Sequence, residues 1–119
     1  MTQRLSPEML IDRMRLFDVD ELASWDRNPN QGDVGAISRS MAQFGQLDVV
    51  LVSDGVIRAG NHRVEAERVS REFGGKIAGI DITDLGWDST TLDAASIALN
   101  YVARLSVDDP GRLALLALQ

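Results

Sequence analysis

Two short β-branched runs divided by a Ser-Asp-Gly turn, then a glycine and a helical stretch, constrain this chain more than anything else in it. The stretch is Asp48 to Phe73: DVVLV, Ser53-Asp54-Gly55, VIRA, then GNHRVEAERVSREF. A Gly-containing turn between two such runs predicts a hairpin, and Gly60 passes its second strand to a helix from Asn61. A helix begun in that way offers backbone N–H groups beside Arg58, His62 and Arg63, an arrangement suited to a phosphate or other anion. The same residues have a plainer reading. A glycine at a strand-to-helix corner is common, and Arg63 has Glu67 four residues on as a pairing partner. His62, Ala66, Val69 and Phe73 also share a helical face that would roof the core.

Length and composition limit what can surround this corner. A chain of 119 residues with 45% hydrophobic content suits one core and one domain. No run approaches the roughly 18 apolar residues of a membrane span, and MTQRLSPEM lacks the apolar centre of a signal peptide, so a cytoplasmic location is expected. The absence of cysteine excludes disulfides, thiolate metal sites and thiol chemistry. A single histidine leaves any metal centre dependent on carboxylates, which argues against a zinc enzyme. The net charge of −6 opposes a generally basic surface for nonspecific nucleic-acid binding. DNA contact would have to be local or come from another part of a longer protein.

Ser6-Pro7-Glu8 predicts a capped helix through about Met14, and LFDVDEL, with Phe17 and Val19 alternating against Asp18 and Asp20, predicts a half-buried strand. Trp25 to Gly32 is punctuated as a loop, with Trp25 read as a lid over the core or a stacking surface for a ligand. Val34, Ile37, Met41 and Phe44 mark a helix capped by Asp33 and stopped by Gly45. Val49 to Val52 is apolar on successive positions, as in a central strand covered on both faces. The helix from Asn61 has Glu67–Arg71 and Arg68–Glu72 at pairing distance on a solvated face, and Gly74-Gly75 ends it. KIAGIDITDL returns as a strand in which Gly79 signals a bulge or a close backbone approach. Ser89 can cap a further helix striped by Leu92, Ala95, Leu99 and Val102, and Asp109-Pro110 can start another that ends in LALLALQ. Such an apolar end needs a cover, so a domain cut from, or paired with, something larger is expected.

The order DVDEL, RNP, ISRSMAQFGQLDVVLV, GVIRAGNHRVEAERV and IAGIDITDL resembles the ParB/sulfiredoxin-like domain over roughly Phe17 to Leu105. The resemblance implies an α+β fold: a small mixed sheet with about four helices. The single domain would have its core at about 15–105, with 106–119 as the start of a further helical region. LNYVARLSVDD also resembles the segment that follows this domain in phage and prophage members, at Asn100, Leu105 and Ser106. In ParB proper the family pattern holds CTP. By the resemblance, Gly45 and Gln46 match its first element, Gly60, His62 and Arg63 its second, and Asn100 the Asn of its third, while Arg58 and Asn61 add polar groups at the corner. Two departures stand out: Leu99 replaces the Glu of a Glu-Asn pair that helps with the metal, and Asp48 replaces a Pro. Sulfiredoxin chemistry is excluded, because its catalytic cysteine would lie in the Gly60 corner.

The first functional expectation is therefore a nucleotide-binding, DNA-associated module of phage or mobile-element type in a bacterial host cell. It would bind CTP or ATP with Mg2+, with no protein metal site assigned, and would reach DNA through a partner region. Its C-terminal helices would form a homodimer or join a larger parent protein. The second expectation is a nuclease, ATPase or small-molecule kinase, with Glu21 and Glu65 as candidate catalytic carboxylates and Asp18 and Asp20 on one strand face beside them. The third is a phage adaptor that acts on a host protein through its acidic surface or its apolar C-terminal helix.

Overall fold

The computed structural model describes residues 3–25 and 34–108, with side chains described as far as residue 99. In chain order the elements are α1 (Pro7–Asp12), β1 (Met14–Asp18), β2 (Ala23–Ser24), α2 (Val34–Phe44), β3 (Val50–Ser53), β4 (Val56–Ala59), α3 (Asn61–Ser70), β5 (Lys76–Asp81) and α4 (Ser89–Asp108). Short 3-10 turns at Val19–Glu21 and Thr83–Leu85 follow β1 and β5. The five strands form one mixed sheet in the order β1-β5-β3-β4-β2. β3 lies at its centre, parallel to β5 and antiparallel to β4, as its unbroken apolar run predicts. The described elements thus make the expected α+β domain.

Each face of the sheet carries its own core. Phe17, Val50, Val52, Ile57 and Ile77 meet Val64 of α3, together with Val19 and Leu22. On the other face Ile80 and Ile82 meet Leu92 of α4, with Leu5, Leu10, Leu51, Leu85 and Trp87 around them. Two positions hold the strands at this spacing. The β3–β4 turn puts Asp54 at φ 51 and Gly55 at φ 74, the left-handed pair that a tight two-residue hairpin requires. At Gly79 a Cβ would stand 2.8 Å from both Phe17 Cε2 and Val50 Cγ2, so the glycine marks a close approach. The pairing irregularity of this sheet falls elsewhere, between Leu51 and Val52.

Local hydrogen bonds redraw several boundaries. Asp18 Oδ1 accepts from the Asp20 N–H at 2.9 Å, which turns the chain out of β1, so Asp18 and Asp20 do not share a strand face. Asp81 Oδ1 likewise accepts from the Thr83 N–H and hydroxyl and ends β5 before Thr83. The α4 cap is Asp88 and not Ser89: its carboxylate accepts from the Thr91 N–H at 2.8 Å and its carbonyl from the Leu92 N–H at 3.0 Å. These backbone hydrogen bonds favour the charged form and hold the carboxyls of Asp18 and Asp88 below their ordinary values.

The solvated ion pairs expected on α3 are replaced by longer-range contacts. Glu67 is fully buried and accepts from the Phe73 N–H at 3.0 Å and the Gly75 N–H at 2.7 Å, which satisfies the turn beyond the helix. Arg68 donates to the carbonyls of Val19 and Leu22, and Arg71 pairs with Asp20. The helix stops at Ser70 because Arg71 turns left-handed, ahead of Gly74-Gly75. Its inward face is Val64, Ala66 and Glu67, so of the face expected from His62 through Phe73 Ala66 is buried, whereas Val69 and Phe73 are exposed. On α2 Met41 is buried but Phe44 faces solvent, and on α4 Leu92 and Ser96 are buried but Leu99 is half-exposed. The expected Asp33 cap, the loop after Trp25 and the helix from Asp109 lie outside the described residues.

Candidate functional site

β3 and β4 exist to bring one corner into position, and that corner is built around Gly60. Its φ of 88° and ψ of 24° are left-handed, and a Cβ there would sit 2.6 Å from Val50 Cγ1 and 3.3 Å from Val50 Cα. Both facts require glycine: the conformation disfavours any L side chain, and the backbone rests on the most buried part of the central strand. The Gly60 carbonyl accepts from the N–H groups of Arg63 and Val64, and no side chain caps the N-terminus of α3. Within this first turn Asn61 Nδ2 donates to Glu65 Oε1 at 3.3 Å, while Asn61 Oδ1 is buried with no hydrogen-bond partner.

Three cationic or potentially cationic side chains surround this start, each beside a carboxylate of the chain. Arg63 Nε pairs with Asp48 Oδ1, so its partner is not the Glu67 that helical spacing offers. His62 Nδ1 lies 3.7 Å from Glu65 Oε2. Arg58, on β4 just before the corner, donates from Nη1 to Asp93 Oδ1 of α4 at 2.9 Å. Its guanidinium lies 5.7 Å from the centre of the Trp25 ring, and its Nε is buried without a hydrogen-bond partner. Trp25 is itself buried, consistent with a lid over the core.

The α2–β3 segment closes one side. Gly45, at φ 82°, ends α2 with its N–H on the Met41 carbonyl. Gln46 then behaves like an extra piece of strand. Its Nε2 donates to the carbonyls of Ala78 at 2.7 Å and Asp48 at 2.9 Å, and its Oε1 accepts from the Ala78 N–H at 2.8 Å. The amide is thereby engaged inside the protein, and it fixes the backbone that carries Asp48. Asn100 lies in α4, and its side chain is outside the described set.

Of the residues expected at the site, Arg58, Gly60, Asn61, His62 and Arg63 fall together by chain continuity at the β4–α3 junction. Glu65 borders them. Glu21 is exposed on the 3-10 turn after β1, at the part of the fold that Arg68 and Arg71 of the last α3 turns reach. Among the described residues no three His, Cys, Asp or Glu side chains gather in a way that could hold a metal ion. Spacing alone missed Asp93 and the role of Asp48. The available signals were Asp93 following the inward-facing Leu92, and the acidic residue standing just before the central strand.

This fold is that of ParB N-terminal domains. One solved structure like it is the C-terminally truncated chromosome-partitioning protein ParB from Caulobacter crescentus, complexed with CTP-gamma-S. It has a TM-score of 0.58 and 18% identity, over 71% of this chain and 50% of that one. Another is a Pnob8-like ParB-N domain, with a TM-score of 0.56 and 12% identity over 75% of this chain and 36% of that one. The chain thus spans half or less of each of these two structures. No family model and no curated protein matches the sequence.

Proposed function

We propose that this chain is a ParB-like nucleotide-binding module that seats the phosphates of a nucleoside triphosphate at the corner running from Gly60 to Arg63. The observation that carries the reading is the uncapped start of α3, pressed onto Val50 by a left-handed glycine. Such a start combines N–H groups with the positive end of the helix dipole. Asn61 Oδ1, buried and without a partner, adds a polar group in the same turn. A protein of the same fold is complexed with CTP-gamma-S, which makes CTP the first ligand to test and ATP the second.

In this reading Gly60 and Asn61 contribute backbone groups, Arg63 supplies the principal charge, and His62 and Arg58 add polar contacts. Gly45 and Gln46 shape the facing wall, and Asn100 is a further contact on the strength of the resemblance. A Mg2+ ion would arrive on the phosphates, since Leu99 stands where the family has a carboxylate. Arg58 pairs with Asp93, so the strand leading into the corner is tied directly to α4. Occupancy can then be read out by the C-terminal helices, where a second copy, a longer parent chain or a DNA-binding region would attach. The proposal extends to a phage or mobile-element origin and a bacterial cytoplasm, on the strength of the resemblance of the segment around Asn100 to Ser106.

Thermal unfolding with and without CTP, CTP-gamma-S or ATP tests the reading. A bound triphosphate raises the melting temperature, and Arg63→Ala abolishes the rise while keeping the native circular-dichroism spectrum. No rise with any of the three at millimolar concentration overturns it.

A further inference from the structure

The arginine best placed to meet a phosphate already holds an anion, and that anion belongs to the chain itself. Arg63 Nε pairs with Asp48 Oδ1; the Arg63 side chain is 25% exposed and that of Asp48 64%. The Asp48 backbone is not loose. Gln46 pins its carbonyl and is itself docked on Ala78, so the carboxylate is presented to Arg63 from a fixed platform while its own side chain can swing into solvent.

We propose that Asp48 is an intramolecular competitor for the anion site: its carboxylate occupies the Arg63 guanidinium in the empty protein and must leave before a phosphate can bind. The inference rests on the phosphate-binding reading of the corner and specifies what sets its affinity. A carboxylate and a phosphate oxygen seek the same N–H groups of a guanidinium, and the first is present at the high effective concentration of a tethered group. Binding is weakened by the fraction of molecules in which the pair is closed, and further by repulsion between Asp48 and the incoming phosphates. The second effect grows with ligand charge. The penalty that Asp48 imposes is therefore largest for a triphosphate, smaller for a monophosphate and absent for an uncharged nucleoside.

The test is calorimetric titration of CTP-gamma-S, CMP and cytidine into the wild type, Asp48→Asn, Arg63→Ala and the double variant. An exposed ion pair of ordinary strength closes the site enough that Asp48→Asn should bind CTP-gamma-S about two- to fivefold more tightly. The gain should be smaller for CMP, absent for cytidine, smaller in the Arg63→Ala background, where only the repulsion remains, and reduced at high salt. If the wild type does not bind and Asp48→Asn does, an exposed pair of ordinary strength cannot account for the block, and the proposal as stated is overturned. If the wild type binds through Arg63 and Asp48→Asn binds no tighter, the competitor role is overturned and the phosphate site survives. If neither binds any of the ligands, both fall. Equal gains for CTP-gamma-S and cytidine would show Asp48 acting on packing and overturn the electrostatic account.

Discussion

Replacing Gly60 by alanine tests the corner where its geometry is most demanding. A left-handed conformation costs an L residue about 1–2 kcal/mol relative to glycine. The new Cβ would stand 2.6 Å from Val50 Cγ1, 3.1 Å from its Cβ and 3.3 Å from its Cα. Val50 is 0% exposed on the central strand and cannot retreat, so the clash adds the roughly 1–3 kcal/mol typical of overpacking. The stiffer unfolded chain returns about 0.4–1 kcal/mol. The net expectation is a loss of about 1–5 kcal/mol, read as a drop in the urea midpoint at unchanged slope. A second variant isolates the cause. In Gly60→Ala/Val50→Ala the nearest clashing atom is gone, so the double variant should be less destabilised than the sum of the singles by about 1 kcal/mol or more. A Gly60→Ala protein within about 0.5 kcal/mol of wild type, or singles that simply add, would refute the claim that this corner is wedged against β3.

Further expectations follow from other residues. Glu67→Ala strips the acceptor from the Phe73 and Gly75 N–H groups and should cost about 3–5 kcal/mol of unfolding free energy; a loss below about 1 kcal/mol would mean that water replaces the carboxylate easily. A double-mutant cycle on Arg58→Met and Asp93→Asn should give a coupling of about 1–2 kcal/mol, with hydrogen-exchange protection falling first in α4. No coupling would detach α4 from the corner. The carboxyls of Asp18 and Asp88 are held low by backbone N–H groups, so their folded values lie below their unfolded ones. Their stabilisation is present above the unfolded value near about 4 and is lost as pH falls through the folded value. Asp88→Ala should therefore lower the melting temperature at neutral pH by a margin that narrows below about pH 4; a gap independent of pH would contradict this assignment.

What the sequence made legible was local. The Asp54-Gly55 turn, the Gly60 corner, the Gly79 approach and the Ser6-Pro7 cap all depend on backbone conformations or contacts that a few neighbouring residues determine. The errors came where a side chain had a choice between a helical neighbour and a distant partner. Glu67 could meet Arg71 on the α3 surface, yet it is drawn inward because the turn at Phe73 and Gly75 has N–H groups to satisfy. Arg63 could meet Glu67, but that carboxylate is already buried, and Asp48 is brought alongside only when β3 lies beside the start of α3. The two-residue β2, parallel to β4, carries too little pattern to announce itself. Arg58–Asp93 joins residues that only the completed fold makes neighbours.

The central claim is that a phosphate sits on the backbone of residues 60–63. Amide chemical-shift mapping of the 15N-labelled chain during a CTP-gamma-S titration examines this most directly. The account predicts saturable shifts largest at Gly60, Asn61, His62 and Arg63, with smaller ones along β4 and the facing part of α4. Saturable shifts centred elsewhere, or none at these four amides, would contradict it.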